Sequence, residues 1–172
     1  MTTSNHVALP EMKIRNATVG DAERLMSIYN HEVEHSTATF DLVPRTLDEQ
    51  RAWITDRLGA LGVIVAEHDG RVVGFASLSA YRNRPAYNTS VENSIYVDEA
   101  ARGLGVGKAL LTELVDMARA RGFHTILAFI ASTEQASEAL HRSCGFEVTG
   151  RHKEVGRKFG RWLDVTVMQK ML

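Results

Sequence analysis

Between Ala101 and Leu111 the sequence reads ARGLGVGKALL, with glycines at 103, 105 and 107 running directly into a helical spacing of apolar residues. Such a stretch suits an anion. The first N–H groups of a helix have no partner inside it, the helix dipole favours negative charge there, and missing side chains let a phosphate approach the main chain. A nucleotide P-loop, G-x-x-x-x-G-K-[ST], fails, because Arg102 stands at the first glycine and Ala109 at the hydroxyl. The dinucleotide pattern G-x-G-x-x-G also fails, ending on Lys108 or Leu110 according to where it begins. R-x-x-G-x-G fits, with Arg102, Gly105 and Gly107 as its fixed positions and Gly103, Leu104 and Val106 between them. Arg102 and Lys108 add local positive charge. Read without a ligand, the same glycines only permit a tight turn.

Other chemistry-bearing residues lie on either side of this stretch. Glu92 sits in SVENSIYV, where strand alternation puts Glu92, Ser94 and Tyr96 on one face unless a bulge breaks the count. Asn93 lies between them. His141 follows in ALHRSCGF, with a ring that titrates near neutrality. YRNRP offers Arg82 and Arg84, separated by Asn83, and guanidinium groups suit carboxylates and phosphinates. Each has a plain alternative: a solvated glutamate at a strand start, a histidine on a helix surface, charges on a loop. The seven histidines are scattered and match no metal-ligand spacing, so no metal is expected.

The surrounding elements must position these groups. KIRNAT reads as a short strand after a loose tail over residues 1–11. GDAERLMSIYNHEVEHS puts Ala22, Leu25, Met26, Tyr29 and Val33 on one helical face. PRTLDEQRAWITDRLGALG opens a second helix with a capping box, Thr46 and Glu49. VIVAEHDGRVVGFASLSAY is a hairpin turning at Asp69–Gly70, and NTSVENSIYVDEA a third strand. After the glycines, Leu110, Leu111, Leu114, Val115 and Ala118 form a buried stripe on a helix that Gly122 ends. FHTILAFIA is a buried strand, TEQASEALHRSCG a short helix, and the remainder two strands around a glycine-rich connection. The order predicts a single α/β domain over 1–172, with a mixed, mostly antiparallel sheet, a central parallel strand pair and flanking helices.

Composition narrows the function classes. At 44% hydrophobic and 24% charged residues the chain has an ordinary globular balance, and its formal net charge of -1 gives no broad pull on nucleic acid or anionic membrane. A lone cysteine, Cys144, forms no internal disulfide, which suits a reducing, cytoplasmic compartment. No stretch approaches the ~20 apolar residues of a membrane span.

The R-x-x-G-x-G stretch between a strand and an amphipathic helix, together with the order of elements, resembles the GNAT superfamily of N-acetyltransferases. IYN…STATF, VENSIYV, LHRSCGF and KFGRWLDV, from Ile28 to Val165, are similar to the phosphinothricin and methionine sulfone/sulfoximine acetyltransferases within it. The resemblance implies a cytoplasmic homodimer that acetylates the α-amine of a small amino acid analogue with acetyl-CoA, an activity tied to herbicide or antibiotic resistance. It implies that residues 102–108 hold the cofactor pyrophosphate and that the main chain of Ile95, Tyr96 and Val97 receives the pantetheine arm. Glu92 would be the general base and His141, where many superfamily members carry Tyr, the proton donor to the CoA thiolate. Arg82 matches a family arginine better than Arg84 does. Tyr29 and Phe40 would wall the substrate pocket, beside Asn83, Asn93 and Ser94. Glu134 stands where relatives carry an Asn that bonds the pantetheine arm, a contact an ionised carboxylate cannot make as a donor. Trp162 is either core or dimer interface. A peptide N-terminus or another small amine is the alternative substrate, and a non-catalytic acetyl-CoA-binding module the alternative role.

Overall fold

The computed structural model describes residues 12–172, so the tail expected over 1–11 lies outside the described residues. In chain order the elements are β1 (Lys13–Asn16), α1 (Ala22–His35), α2 (Leu47–Thr55), β2 (Val63–His68), β3 (Arg71–Ala80), β4 (Ser90–Val97), α3 (Val106–Ala120), β5 (Thr125–Ala131), α4 (Gln135–Ser143), β6 (Glu147–Lys158) and β7 (Arg161–Met171). The strands form one seven-stranded sheet in the order β1-β2-β3-β4-β5-β7-β6. Among the described residues only β4 and β5 run parallel; the other neighbours are antiparallel.

Two cores lie on the two faces. On one, Leu110, Leu111 and Leu114 of α3 meet Ile126 and Met168 of the sheet. Each of these leucines is fully buried, which at roughly 1.5–3 kcal/mol apiece anchors α3 and its glycine-rich start. On the other face, Leu25 and Tyr29 of α1 and Ile54 of α2 pack on Val63, Val65 and Phe75. Thr46 begins α2 as the expected capping box, its hydroxyl accepting from Glu49 N.

Two boundaries differ from the sequence reading. The second helix stops at Thr55, and the chain then turns through Gly59 and Gly62, both at positive φ. The connection between β6 and β7 is a tight turn at Phe159–Gly160, both at positive φ, while Gly150 and Gly156 lie inside β6 where its register to β7 shifts. These glycines bend a strand; they do not loop between two.

The parallel pair positions the site. β4 pairs with β5 only from Ser90↔Thr125 to Glu92↔Leu127. β4 continues along β3 as far as Gly74↔Val97, and β5 continues along β7 as far as Ala131↔Val165. Beyond Glu92 the sheet is therefore split.

Candidate active site

The split opens into a cavity of about 810 Å³ that reaches both faces of the sheet. Its main-chain wall follows from register. Asp98 N donates to Val73 O and His124 N donates to Thr89 O, each at 2.8 Å. Alternation then turns the main-chain groups of Ser94 and Tyr96 toward β3, and those of Asn93, Ile95 and Val97 toward the gap. Of the three residues expected to receive an extended ligand, Ile95 and Val97 are placed to do so. Tyr96 also lines the cavity, but its main chain is turned to β3, and its ring packs edge-on to Tyr29 at 5.1 Å and against Phe75 at 5.3 Å.

At one end of the cavity lies the glycine turn. Gly103 and Gly105 have φ of +77° and +82°, and a Cβ on either would meet nothing within 4 Å. The turn is thus open to a ligand and left-handed by necessity. Gly105 begins α3 with no side-chain cap, leaving the first N–H groups of the helix available. This cradle fits a pyrophosphate. Gly107 has another job, because a Cβ there would sit 3.1 Å from Leu140 Cδ2, so it permits close packing of α3 on α4. Leu104 points to solvent, away from the cavity wall. Lys108 lines the cavity and is exposed. Arg102 also lines it, but its guanidinium is paired with the buried carboxylate of Glu32. The free positive charge expected of Arg102 is largely neutralised.

Glu92 is the last paired residue of β4 before the split, and its half-buried side chain lines the cavity. The β3–β4 register is unbroken, so Glu92, Ser94 and Tyr96 share a face as the alternation required. Burial alone pushes the Glu92 carboxyl above the usual carboxylate range. His141 enters from the opposite face, on α4, only 4% exposed. Its Nδ1 donates to Ser137 O at 2.7 Å and its Nε2 lies 2.9 Å from Asn93 Nδ2, with Phe146 edge-on at 5.0 Å. Burial lowers its pKa. Burial thus favours the neutral ring, and the Ser137 carbonyl keeps its hydrogen on Nδ1.

The remaining expected residues divide. Phe40, Asn93, Ser94 and Glu134 line the cavity. Tyr29 does not: its ring is buried in the α1 core and its hydroxyl bonds Thr39 and Asp41, so it props the wall from behind. Arg82, Asn83 and Arg84 are exposed on the β3–β4 loop outside the cavity wall, Arg82 lying against the rings of Tyr81 and Tyr87. Glu134 accepts from Thr37 Oγ1 at 2.6 Å, which clasps the α1–α2 loop to the β5–α4 loop. Trp162 is 60% exposed, hence outside the core.

Several contributors escaped the sequence reading. Glu32 was visible as a carboxylate on the apolar stripe of α1. Lys158, buried at the end of β6, donates to Thr39 O at 2.8 Å and Glu32 O at 3.3 Å. Gly156 lies under Phe40, where a Cβ would come within 2.2 Å of Phe40 Cε2. Nothing local marks either.

Residues 24–146 match the model of the acetyltransferase (GNAT) family. The chain belongs to that family. An L-methionine sulfoximine/L-methionine sulfone acetyltransferase of Pseudomonas aeruginosa is 40% identical over 158 residues, 91% of this chain and 92% of that one. Among solved structures, a GNAT phosphinothricin acetyltransferase from Sinorhizobium meliloti in complex with acetyl-CoA has a TM-score of 0.91 at 40% identity, covering 94% of this chain and 88% of that one. A ribosomal-protein-alanine N-acetyltransferase from Brucella melitensis has a TM-score of 0.91 at 44% identity, covering 93% of this chain and 99% of that one. As a GNAT N-acetyltransferase, the chain has the mixed sheet and single parallel pair that its resemblance implied.

Proposed function

We propose that this acetyltransferase moves the acetyl group of acetyl-CoA to the α-amine of a small amino acid analogue of the phosphinothricin or methionine sulfoximine kind. The observation that carries the reading is the Glu92 carboxylate: half-buried, raised by burial with no compensating bond or charge, and set where the sheet splits. An α-amine is largely ammonium at neutral pH and has no lone pair to attack with until it loses a proton, so a base at this point serves the reaction. When bound, acetyl-CoA supplies a thioester, an activated acyl donor.

The residues of the chain do the rest. The turn at Gly103–Gly105 and the start of α3 hold the pyrophosphate, with Lys108 alongside. Main-chain groups of Ile95 and Val97 line up the pantetheine arm as an added strand. An N–H of this edge polarises the thioester carbonyl. Glu92 takes the proton of the amine, and His141 returns one to the departing sulfur. Phe40 and Ser94 bound the amine side, while Arg82 and Arg84 stand on their loop outside the cavity wall and would meet the acidic end of the substrate only by turning inward.

A second reading has its own support. The similar Brucella melitensis protein is named for a protein substrate, and no guanidinium other than that of Arg102 lines the cavity among the described residues. A peptide N-terminus needs no such group. Thiol release from acetyl-CoA, measured across phosphinothricin, methionine sulfoximine, methionine sulfone, free amino acids and short peptides, separates the two. Turnover confined to the amino acid analogues supports the first reading; turnover confined to peptides replaces it.

The β6–β7 hairpin exposes Val155, Phe159 and Trp162. Their exposure supports a homodimer through the hairpin as part of the proposal. Light scattering should show two chains per particle, and one for Trp162→Lys.

A further inference from the structure

Four buried side-chain atoms among the described residues have no hydrogen-bond partner: Gln50 Nε2, His68 Nδ1, Ser77 Oγ and Asn93 Oδ1. Of these residues only Asn93 lines the cavity. Its carboxamide, 6% exposed, is half used: Nδ2 meets His141 Nε2 at 2.9 Å while Oδ1 meets nothing. A buried oxygen without a donor is unfavourable, and its neighbour shows when it would be used. Ser137 O only accepts, so His141 Nδ1 keeps its hydrogen in either charge state. In the neutral ring Nε2 accepts from Asn93 Nδ2. In the protonated ring Nε2 becomes a donor, and a half-turn of the carboxamide brings Oδ1 to face it.

We propose that Asn93 is the positioning residue for His141, its carboxamide donating to the neutral imidazole and turning over to accept from the imidazolium. The proposal deepens the reading of His141 as proton donor and rests on it for its catalytic meaning. Nε2–H gives up its bond to Asn93 Oδ1 as it turns to the thiolate; the sulfur takes the proton and becomes a thiol, the ring returns to its neutral Nδ1–H form, and the carboxamide turns back to donate to Nε2. Solvent reprotonates the ring, balancing the proton that the amine releases through Glu92. The charged groups nearby do not take this place. Glu138, one turn earlier on α4, is engaged by Thr166 of β7 at 2.6 Å. Glu92 lies on the other face of β4, and Arg142 of α4 and Lys108 of α3 are exposed. Cys144, just past the end of α4, is partly buried.

The test is an NMR titration of the whole protein labelled with 15N, the His141 signal being identified by its loss in His141→Gln. The wild-type ring should show the Nδ1–H tautomer at high pH, and the Asn93 side-chain NH₂ signals should shift with the same midpoint as the ring. Asn93→Asp, which can only accept, should raise the ring midpoint by about one pH unit or more. NH₂ signals that ignore the ring titration, or a midpoint unmoved in Asn93→Asp, overturn the proposal. If Asn93→Asp does not fold, the wild-type NH₂ titration decides alone. Catalysis separates the two readings: a ring midpoint that moves without moving the kcat–pH profile keeps the role of Asn93 and removes that of His141.

Discussion

Glu92 has neither a donor nor a cation to favour its charge, so its carboxyl is raised by burial alone. As a base it must be ionised, and kcat should rise with pH through that raised value. Glu92→Gln should lower kcat by about 10²–10⁴-fold and erase this limb, with acetyl-CoA affinity by calorimetry near wild type. The sign for stability is opposite. A raised folded-state pKa gives stability that is present below the unfolded value and lost as pH rises through the folded one. Glu92→Gln should therefore be no less stable than wild type in urea at pH 7.5. Gly105 is a second residue with a sharp expectation. At φ +82° any side chain is strained, so Gly105→Ala should cost about 1–2 kcal/mol by denaturation and weaken acetyl-CoA binding measured by calorimetry. The place of both residues was legible in the sequence, Gly105 through its glycine spacing and Glu92 through strand alternation, but the role proposed for Glu92 came from the family resemblance. Tyr29 was not, since an aromatic ring on a helical stripe fits a pocket wall and a core equally well. The bond between Asn93 and His141 spans 48 residues and has no local sign.

At the scale of elements, the end of the β6–β7 hairpin shapes the amine side of the cavity from a distance. Lys158 holds the last turn of α1 and the loop after it through the carbonyls of Glu32 and Thr39. Gly156 leaves room for the Phe40 ring, which stands between it and the cavity. Gly156→Ala should push that ring inward, raising KM for the bulkier amine substrates several-fold with little change in KM for acetyl-CoA. In a Phe40→Ala background the same change should be nearly silent, a coupling that steady-state kinetics of the double variant would show. The sequence showed each strand and helix through period and caps. It did not show that β6 bends where Gly150 and Gly156 interrupt its register, because a glycine in a strand and a glycine in a loop look alike until the partner strand is known.

For the whole molecule, His141 adds to the loss of stability in acid that the ion-paired Asp21 and Asp98 also bring at lower pH. Burial lowers its folded-state pKa, so it contributes stability above the unfolded value of about 6.5 that is lost as pH falls through the folded one. Urea midpoints should drop between pH 7.5 and 5.5, and His141→Gln should flatten that slope. The parallel seam has a different bearing. β4 and β5 meet over three residue pairs, whereas β5 and β7 meet over seven. A ligand lying in the split would bind strands on both sides at once and act as a missing rung of the ladder, worth about 2.7 kcal/mol at a hundredfold excess over its Kd. A chain divided in the turn at Gly122 would then be a two-part protein, its pieces brought together by the very molecule they are built to hold.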